Sequence, residues 1–310
     1  MKRATRESYG AALAELSKEN DKLFVLDADL AEATKTITFK KACPERFIDC
    51  GIAEGNMIGV AAGLATCGAT VFASSFAMFA AGRAFEQIRN SVCYPKLNVK
   101  IGATHAGISV GEDGATHQCL EDIALMRSIP NMVIVNPCDD IEAMQAVKAA
   151  AEYKGPVYLR FGRLAVEDLN NEDYEFTIGK GVLLRDGTDV TIIATGLPVG
   201  RSLKAAELLE KEGISARVVN IHTIKPIDRE IIIESAKKTG LIVTVEEHNI
   251  IGGLGSAVSE VLSEEVPTKL CRVGINDTFG YSGPAEELLT RFGLDAEGIK
   301  TKIINALKTK

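Results

Sequence analysis

Val190-Thr191-Ile192-Ile193-Ala194-Thr195 carries apolar side chains along both of its faces. A strand of that kind is buried on both sides, as in a parallel sheet covered by helices. The pattern extends in both directions. Downstream, a helical pattern over 200–211 leads to short β-branched runs at 216–221, 241–245 and 269–273, with another helical pattern over 257–262. Upstream, runs at 23–28, 99–104, 132–136 and 157–160 alternate with helical patterns over 6–18, 54–66, 77–91 and 141–152. This alternation predicts an α/β protein of mostly parallel sheets with helices on both faces.

At roughly 100–200 residues per domain, 310 residues suit two domains. Apolar residues make up 46% and charged residues 25%, enough for two sizeable cores. Glu167, Asp168, Asn170, Asn171, Glu172 and Asp173 form an acidic, polar stretch, and Gly179, Gly181 and Gly187 follow it. This region reads as a linker, 169–187, between a first domain, 1–168, and a second, 188–310.

The net charge of -7 gives no support to a nucleic-acid or anionic-membrane partner. No apolar stretch approaches the roughly 18–20 residues of a transmembrane helix. Seven cysteines are scattered without the spacing of a zinc knuckle or a redox pair, which predicts reduced thiols in a cytoplasmic protein. The N-terminal run Met1–Arg6 leads into an amphipathic pattern and not an apolar signal core.

Four clusters carry candidate chemistry. Gly51-Ile52-Ala53-Glu54-Gly55 opens a helix rich in small residues. Glu54 there fits a helix-start charge as well as a site carboxylate. Thr104-His105-Ala106-Gly107-Ile108-Ser109-Val110-Gly111-Glu112-Asp113-Gly114-Ala115-Thr116-His117-Gln118 follows directly on a strand. Strand carboxyl ends are where open α/β sheets bind ligands, and a loop dense in His, Asp and Gly there predicts a site. His105 and His117 lack the spacing of a helical zinc pair, and no cysteine completes a set, so no metal site is assigned. Phe76 and Phe79 stand three apart at an expected helix start, a spacing common in cores. Arg160-Phe161-Gly162-Arg163 ends a strand, where an arginine fork suits a phosphate or a surface ion pair.

The run Thr104–Gln118 closely resembles the transketolase signature, and Gly51-Ile52-Ala53-Glu54 resembles the thiamine-activating segment of those enzymes. Ala4-Thr5-Arg6, Asp27-Ala28-Asp29-Leu30 and the stretch 76–82 match in the same order, and Glu246–Gly255 resembles the family's C-terminal domain. The resemblance covers essentially the whole chain. It implies a pyrimidine-binding domain followed by a transketolase C-terminal domain. The Gly-Asp-Gly…Asn signature of the diphosphate- and metal-binding domain does not occur.

What the resemblance implies is a subunit of a split transketolase, moving a two-carbon ketol unit between sugar phosphates of the pentose phosphate pathway. Thiamine diphosphate and Mg2+ would be held mainly by an N-terminal-half subunit, in an α2β2 heterotetramer. Glu54 matches the glutamate that hydrogen-bonds the cofactor's aminopyrimidine, and a desolvated carboxylate is suited to sharing a proton there. Phe76 and Phe79 match the wall of the pyrimidine pocket. Arg6, His105 and Arg163 match positions that hold the sugar phosphate. Asp113 matches the acid that reads a substrate hydroxyl, and His117 the histidine near the reacting carbonyl. Ala106 departs from the aspartate of many relatives, and the serine that often helps hold phosphate has no clear counterpart near Ala33-Thr34.

The competing enzyme readings are a 2-oxo acid dehydrogenase beta subunit, not expected to share 111–118, and a deoxyxylulose-phosphate-synthase-like enzyme, normally one longer chain. The non-enzyme reading is a binding or regulatory module that kept the fold.

Overall fold

β-Branched and aromatic runs pair as strands throughout the computed structural model, which describes residues 2–171 and 173–309. Met1, Glu172 of the expected linker, and Lys310 lie outside the described residues. In chain order the strands are β1 (Lys2–Ala4), β2 (Leu23–Asp27), β3 (Phe47–Asp49), β4 (Thr70–Phe76), β5 (Val99–Thr104), β6 (Val133–Val135) and β7 (Val157–Arg160). They continue with β8 (Ala165–Glu167), β9 (Val182–Arg185), β10 (Val190–Ala194), β11 (Ala216–Asn220), β12 (Thr223–Lys225), β13 (Leu241–Asn249) and β14 (Lys269–Ile275).

One sheet has the order β12-β6-β7-β5-β4-β2-β3 and a second the order β14-β13-β10-β11-β9. Each is parallel apart from one antiparallel edge strand, β12 or β9. Alternate residues of a strand feed opposite cores. Val71 and Ala73 of β4 face one apolar cluster with Met57, Ile58 and Ile101, while Phe72 faces another with Tyr9, Leu13 and Leu159. In β10, Val190, Ile192 and Ala194 face one core and Ile193 the other. This two-sided burial is the helix-covered parallel architecture expected from the sequence.

Three local readings change. Thr70–Phe76, with its two central serines, is a buried strand, so Phe76 ends a strand and does not open a helix. The helical stretch expected over 77–91 contains one π-helical segment, Phe79–Arg83, and runs into a second, Ile88–Cys93. The stretch expected as linker, 169–187, contains β9, which pairs with β11 of the second sheet. β12, from beyond that stretch, pairs with β6 and extends the first sheet. Among the described residues no helix is long and apolar enough to cross a membrane.

Candidate active site

Glu54 is the first residue of the helix Glu54–Thr66, whose buried face is Met57, Ile58, Ala61, Ala62 and Ala65. That spacing turns one side of the helix to the core and fixes its N-terminus beside the end of β4. The Glu54 carboxylate is only 4% exposed. Its contacts are long: Ser75 Oγ at 3.4 Å and Arg83 Nη1 at 3.5 Å. Arg83 also lies over the Phe79 ring, 4.3 Å from its centroid.

Strands β4 and β5 pair with Phe76 opposite Thr104, so the Phe76 ring meets the residue after Thr104. It stacks on His105 at 3.8 Å between centroids. Phe79, at the start of the π-helical segment, stacks on Phe76 at 5.8 Å with 19° between planes. His117 meets Phe79 edge-on at 5.4 Å. The contacts therefore run Glu54–Arg83–Phe79–Phe76–His105, with His117 against the rings.

Arg6, in the first turn of the helix Thr5–Glu19, extends the chain of contacts. Its Nη1 donates to Ala33 O at 3.0 Å and lies 2.9 Å from His105 Nε2. Arg6 Nε is buried with no hydrogen-bond partner among the described residues. Burial, reinforced by the charges of Arg6, Arg163, His117 and Lys35, pushes the His105 imidazole down to about 3. Burial also lowers the Arg6 guanidinium, opposed by Glu7 and supported by Arg163. Arg163, partly exposed, donates to Val110 O at 2.5 Å and stands 3.4 Å from Glu112. Arg6 and Arg163 line one groove with Ser109 and Glu112.

A second cleft, about 790 Å³, opens between Met78, Phe79 and Arg83 of the first domain and Asp277–Phe279 of the second, with Thr116 on its wall. Asp113 is exposed at the end of the 3-10 segment Ile108–Asp113 and is outside the contact chain described above. The neighbouring Arg160 is no phosphate ligand here. It is buried, with Nε 2.9 Å from Asp122 Oδ2 and Nη2 donating to Glu247 O at 3.0 Å. Among the described residues no three His, Cys, Asp or Glu side chains converge as a metal-ligand set.

Two participants escaped the sequence reading. Arg83 lies four residues after Phe79, and that helical spacing was its only local signal. Lys35 acts on His105 through its charge, from a turn where it adopts φ +70°. Its neighbours Ala33-Thr34 stand where a phosphate-holding residue is expected, but Lys35 itself is not singled out by the sequence.

Comparison with known proteins places this geometry. The family described as transketolase, pyrimidine binding domain, matches residues 1–168, and transketolase, C-terminal domain, matches 179–299. A transketolase C-terminal section from Methanocaldococcus jannaschii is 57% identical over 98% of this chain and 96% of its own length. Human transketolase is 41% identical over 99% of this chain, which spans 49% of the human protein. A solved structure described as a split gene transketolase, inactive beta4 tetramer, superposes with a TM-score of 0.92 at 56% identity, covering 98% of each chain. The resemblance read from the loop 104–118 and from Glu54 is thereby borne out: the chain belongs to the transketolase family, as its pyrimidine-binding and C-terminal domains.

Proposed function

We propose that this chain is the subunit of a thiamine-diphosphate-dependent transketolase that supplies the pyrimidine pocket and the sugar-phosphate cradle, acting with a partner chain. The observation that carries the reading is one continuous run of contacts from a buried carboxylate, over stacked aromatic rings, to a cationic cluster.

The residues fit a flat heteroaromatic ring at one end. Phe79 and Phe76 offer ring faces and edges, and Glu54 offers a desolvated carboxylate whose present contacts are long. Glu54 would share a proton with a ring nitrogen through a hydrogen bond, which favours the imino tautomer of an aminopyrimidine. Thiamine diphosphate, when bound, supplies the electron sink for cleaving the bond beside a ketose carbonyl. At the other end, Arg6 and Arg163 face a neutral His105, and Arg6 Nε is an unpartnered buried donor. Buried donors and like charges gathered in this way favour an anion, and a sugar phosphate supplies one. His117, lying against the rings between these ends, is assigned to the reacting carbonyl, and Asp113 to a substrate hydroxyl.

The diphosphate and Mg2+ are assigned to a partner resembling the other half of transketolase, in an α2β2 complex in the cytoplasm. The partner is supported by relatives matched over nearly their whole length, a transketolase C-terminal section covered to 96% and a split gene transketolase chain covered to 98%. Ketol transfer between pentose-pathway sugar phosphates is the expected reaction. The test is reconstitution. The chain alone should show little ketol transfer with thiamine diphosphate and Mg2+, and adding a chain that carries the missing signature should restore it. Full cofactor-dependent turnover by this chain alone would sink the split-subunit reading.

A further inference from the structure

In an open α/β sheet, ligands enter at the carboxyl end of the strands where the strand order reverses. In the second sheet that point is β10, flanked by β11 and β13. The first domain fills it. Asn136 N donates to His222 O at 2.8 Å, and Thr195 Oγ1 donates to Asn136 O at 3.4 Å. Asn220 Nδ2 donates to the buried Glu142 at 2.8 Å. Gly196 has φ +61°, and a Cβ there would lie 2.6 Å from Asn136 Nδ2. The position where such a domain would bind a small molecule is a docking socket for the first domain.

The next strand, β13, carries this docking into the site. Its Glu247 is buried, and Glu247 Oε1 accepts from Ser109 N at 2.5 Å. Its backbone carbonyl accepts from Arg160, itself paired with Asp122. Asn249 N donates to Leu120 O at 2.7 Å. Gly107 has φ +87°, and a Cβ there would lie 2.4 Å from the Glu247 carboxylate, so the loop and the carboxylate are fitted to each other. A second hold grips the other end. Gln118 Nε2 donates to Tyr281 O at 2.8 Å, and Ser282 Oγ donates to Glu112 O at 2.6 Å. A Cβ on Gly280 would strike Gln118 Oε1 at 1.9 Å.

We propose that the second domain acts as a clasp that holds loop 105–118 in its sugar-binding shape, with Glu247 as its positioning residue. The proposal rests on the transketolase reading for the word sugar; the clasp itself is a property of this chain. Glu247 touches no reacting atom. It fixes the backbone at Ser109, four residues from His105 and four from Asp113, so its loss is felt as misplacement of both. A 1 Å misplacement of positioned groups is enough to cost about 10²-fold in rate.

Two arms test this. In the full chain alone, hydrogen exchange across 105–118 should quicken in Glu247→Ala, while Glu247→Gln, whose amide oxygen still accepts from Ser109 N, stays near wild type. In the complex with the partner chain, Glu247→Ala should raise KM for a phosphorylated ketose about tenfold or more, with thiamine diphosphate affinity unchanged and Glu247→Gln restoring KM. Ser282→Ala, at an exposed position that folding tolerates, should raise the same KM several-fold and quicken exchange only near Glu112. Unchanged exchange and KM in Glu247→Ala overturn the proposal. So does a fall in cofactor affinity that matches the change in KM, which marks general damage. A wild-type complex without ketol transfer sinks the functional reading alone, and the exchange arm still decides the clasp.

Discussion

Arg6 Nη1 lies 2.9 Å from His105 Nε2, and an arginine can only donate. Nε2 must therefore accept, which puts the ring proton on Nδ1, 2.9 Å from Thr104 Oγ1. The imidazole is held neutral, stacked on Phe76, with its free lone pair already occupied by a cation. For His105 to donate to a phosphate, Arg6 must first swing from Nε2 toward the anion.

The neutral His105 has a consequence for stability. Its folded value is about 3, below the roughly 6.5 of an unfolded histidine. Between those values the unfolded chain takes up the proton and the folded chain does not. Stability from this group is therefore present above pH 6.5 and is lost as pH falls toward 3, by about 1.4 kcal/mol per pH unit. Denaturant unfolding of the wild type and His105→Gln at pH 6 and pH 4.5 should show the smaller acid loss in the variant. Equal losses would mean that the folded ring protonates normally. Nitrogen NMR of the same ring should report the Nδ1–H form at neutral pH and a change when inorganic phosphate is added.

Arg163→Ala should raise KM mainly for phosphorylated sugars. Arg163 lines the groove that holds Arg6 and lowers the protonation of His105, so its charge acts on the phosphate cradle. A lost charge-assisted hydrogen bond is worth about 1.5–3 kcal/mol, a roughly 10- to 100-fold change. Steady-state kinetics on phosphorylated and unphosphorylated ketoses separate the roles. An equal effect on both would leave Arg163 its contacts with Val110 O and Glu112, as a support of the loop. Arg160 is no substitute candidate, because its guanidinium is committed to Asp122 and Glu247 O.

Glu54→Gln should fold and slow turnover by about 10²–10⁴, the usual cost of a lost positioned proton transfer. The carboxylate has only long contacts within the chain, so the amide disturbs little locally. Deuterium exchange at the thiazolium carbon, measured in the assembled complex, is the direct readout. A wild-type exchange rate in the variant would remove Glu54 from the role.

The fold class was legible because parallel strands such as β10 are apolar on both faces and occupy contiguous residues. The loop 104–118 was legible for the same reason, since its chemistry is local in sequence. Arg6 and Arg163 were not readable together from spacing, being 157 residues apart; the resemblance brought them to one cradle. β4 was missed because Ser74 and Ser75 break the apolar run, although both are fully buried. The crossing of β12 from the second half to the first sheet follows from tertiary pairing, which no local pattern encodes. Glu247 reads as one more acid in a strand until Ser109 is placed beside it.

His117→Ala should lower turnover more than it lowers cofactor affinity. The ring lies edge-on to Phe79 and is partly exposed, with Nδ1 3.0 Å from Thr116 Oγ1, whose residue lines the cleft between the domains. An imidazole so placed can donate to a developing alkoxide. Asp113 is exposed four residues earlier in the loop, and Asp113→Ala should act differently. It should erode discrimination between ketose phosphates that differ at one hydroxyl, because a site that hydrogen-bonds a hydroxyl rejects the analogue by leaving its own acid unpaired. The check is steady-state kinetics of both variants on two epimeric ketose phosphates, beside calorimetric titration of thiamine diphosphate into the complex. If His117→Ala abolishes cofactor binding while turnover per bound cofactor stays normal, His117 belongs to the cofactor pocket with Phe79. The substrate role would then pass to the other donors of the loop.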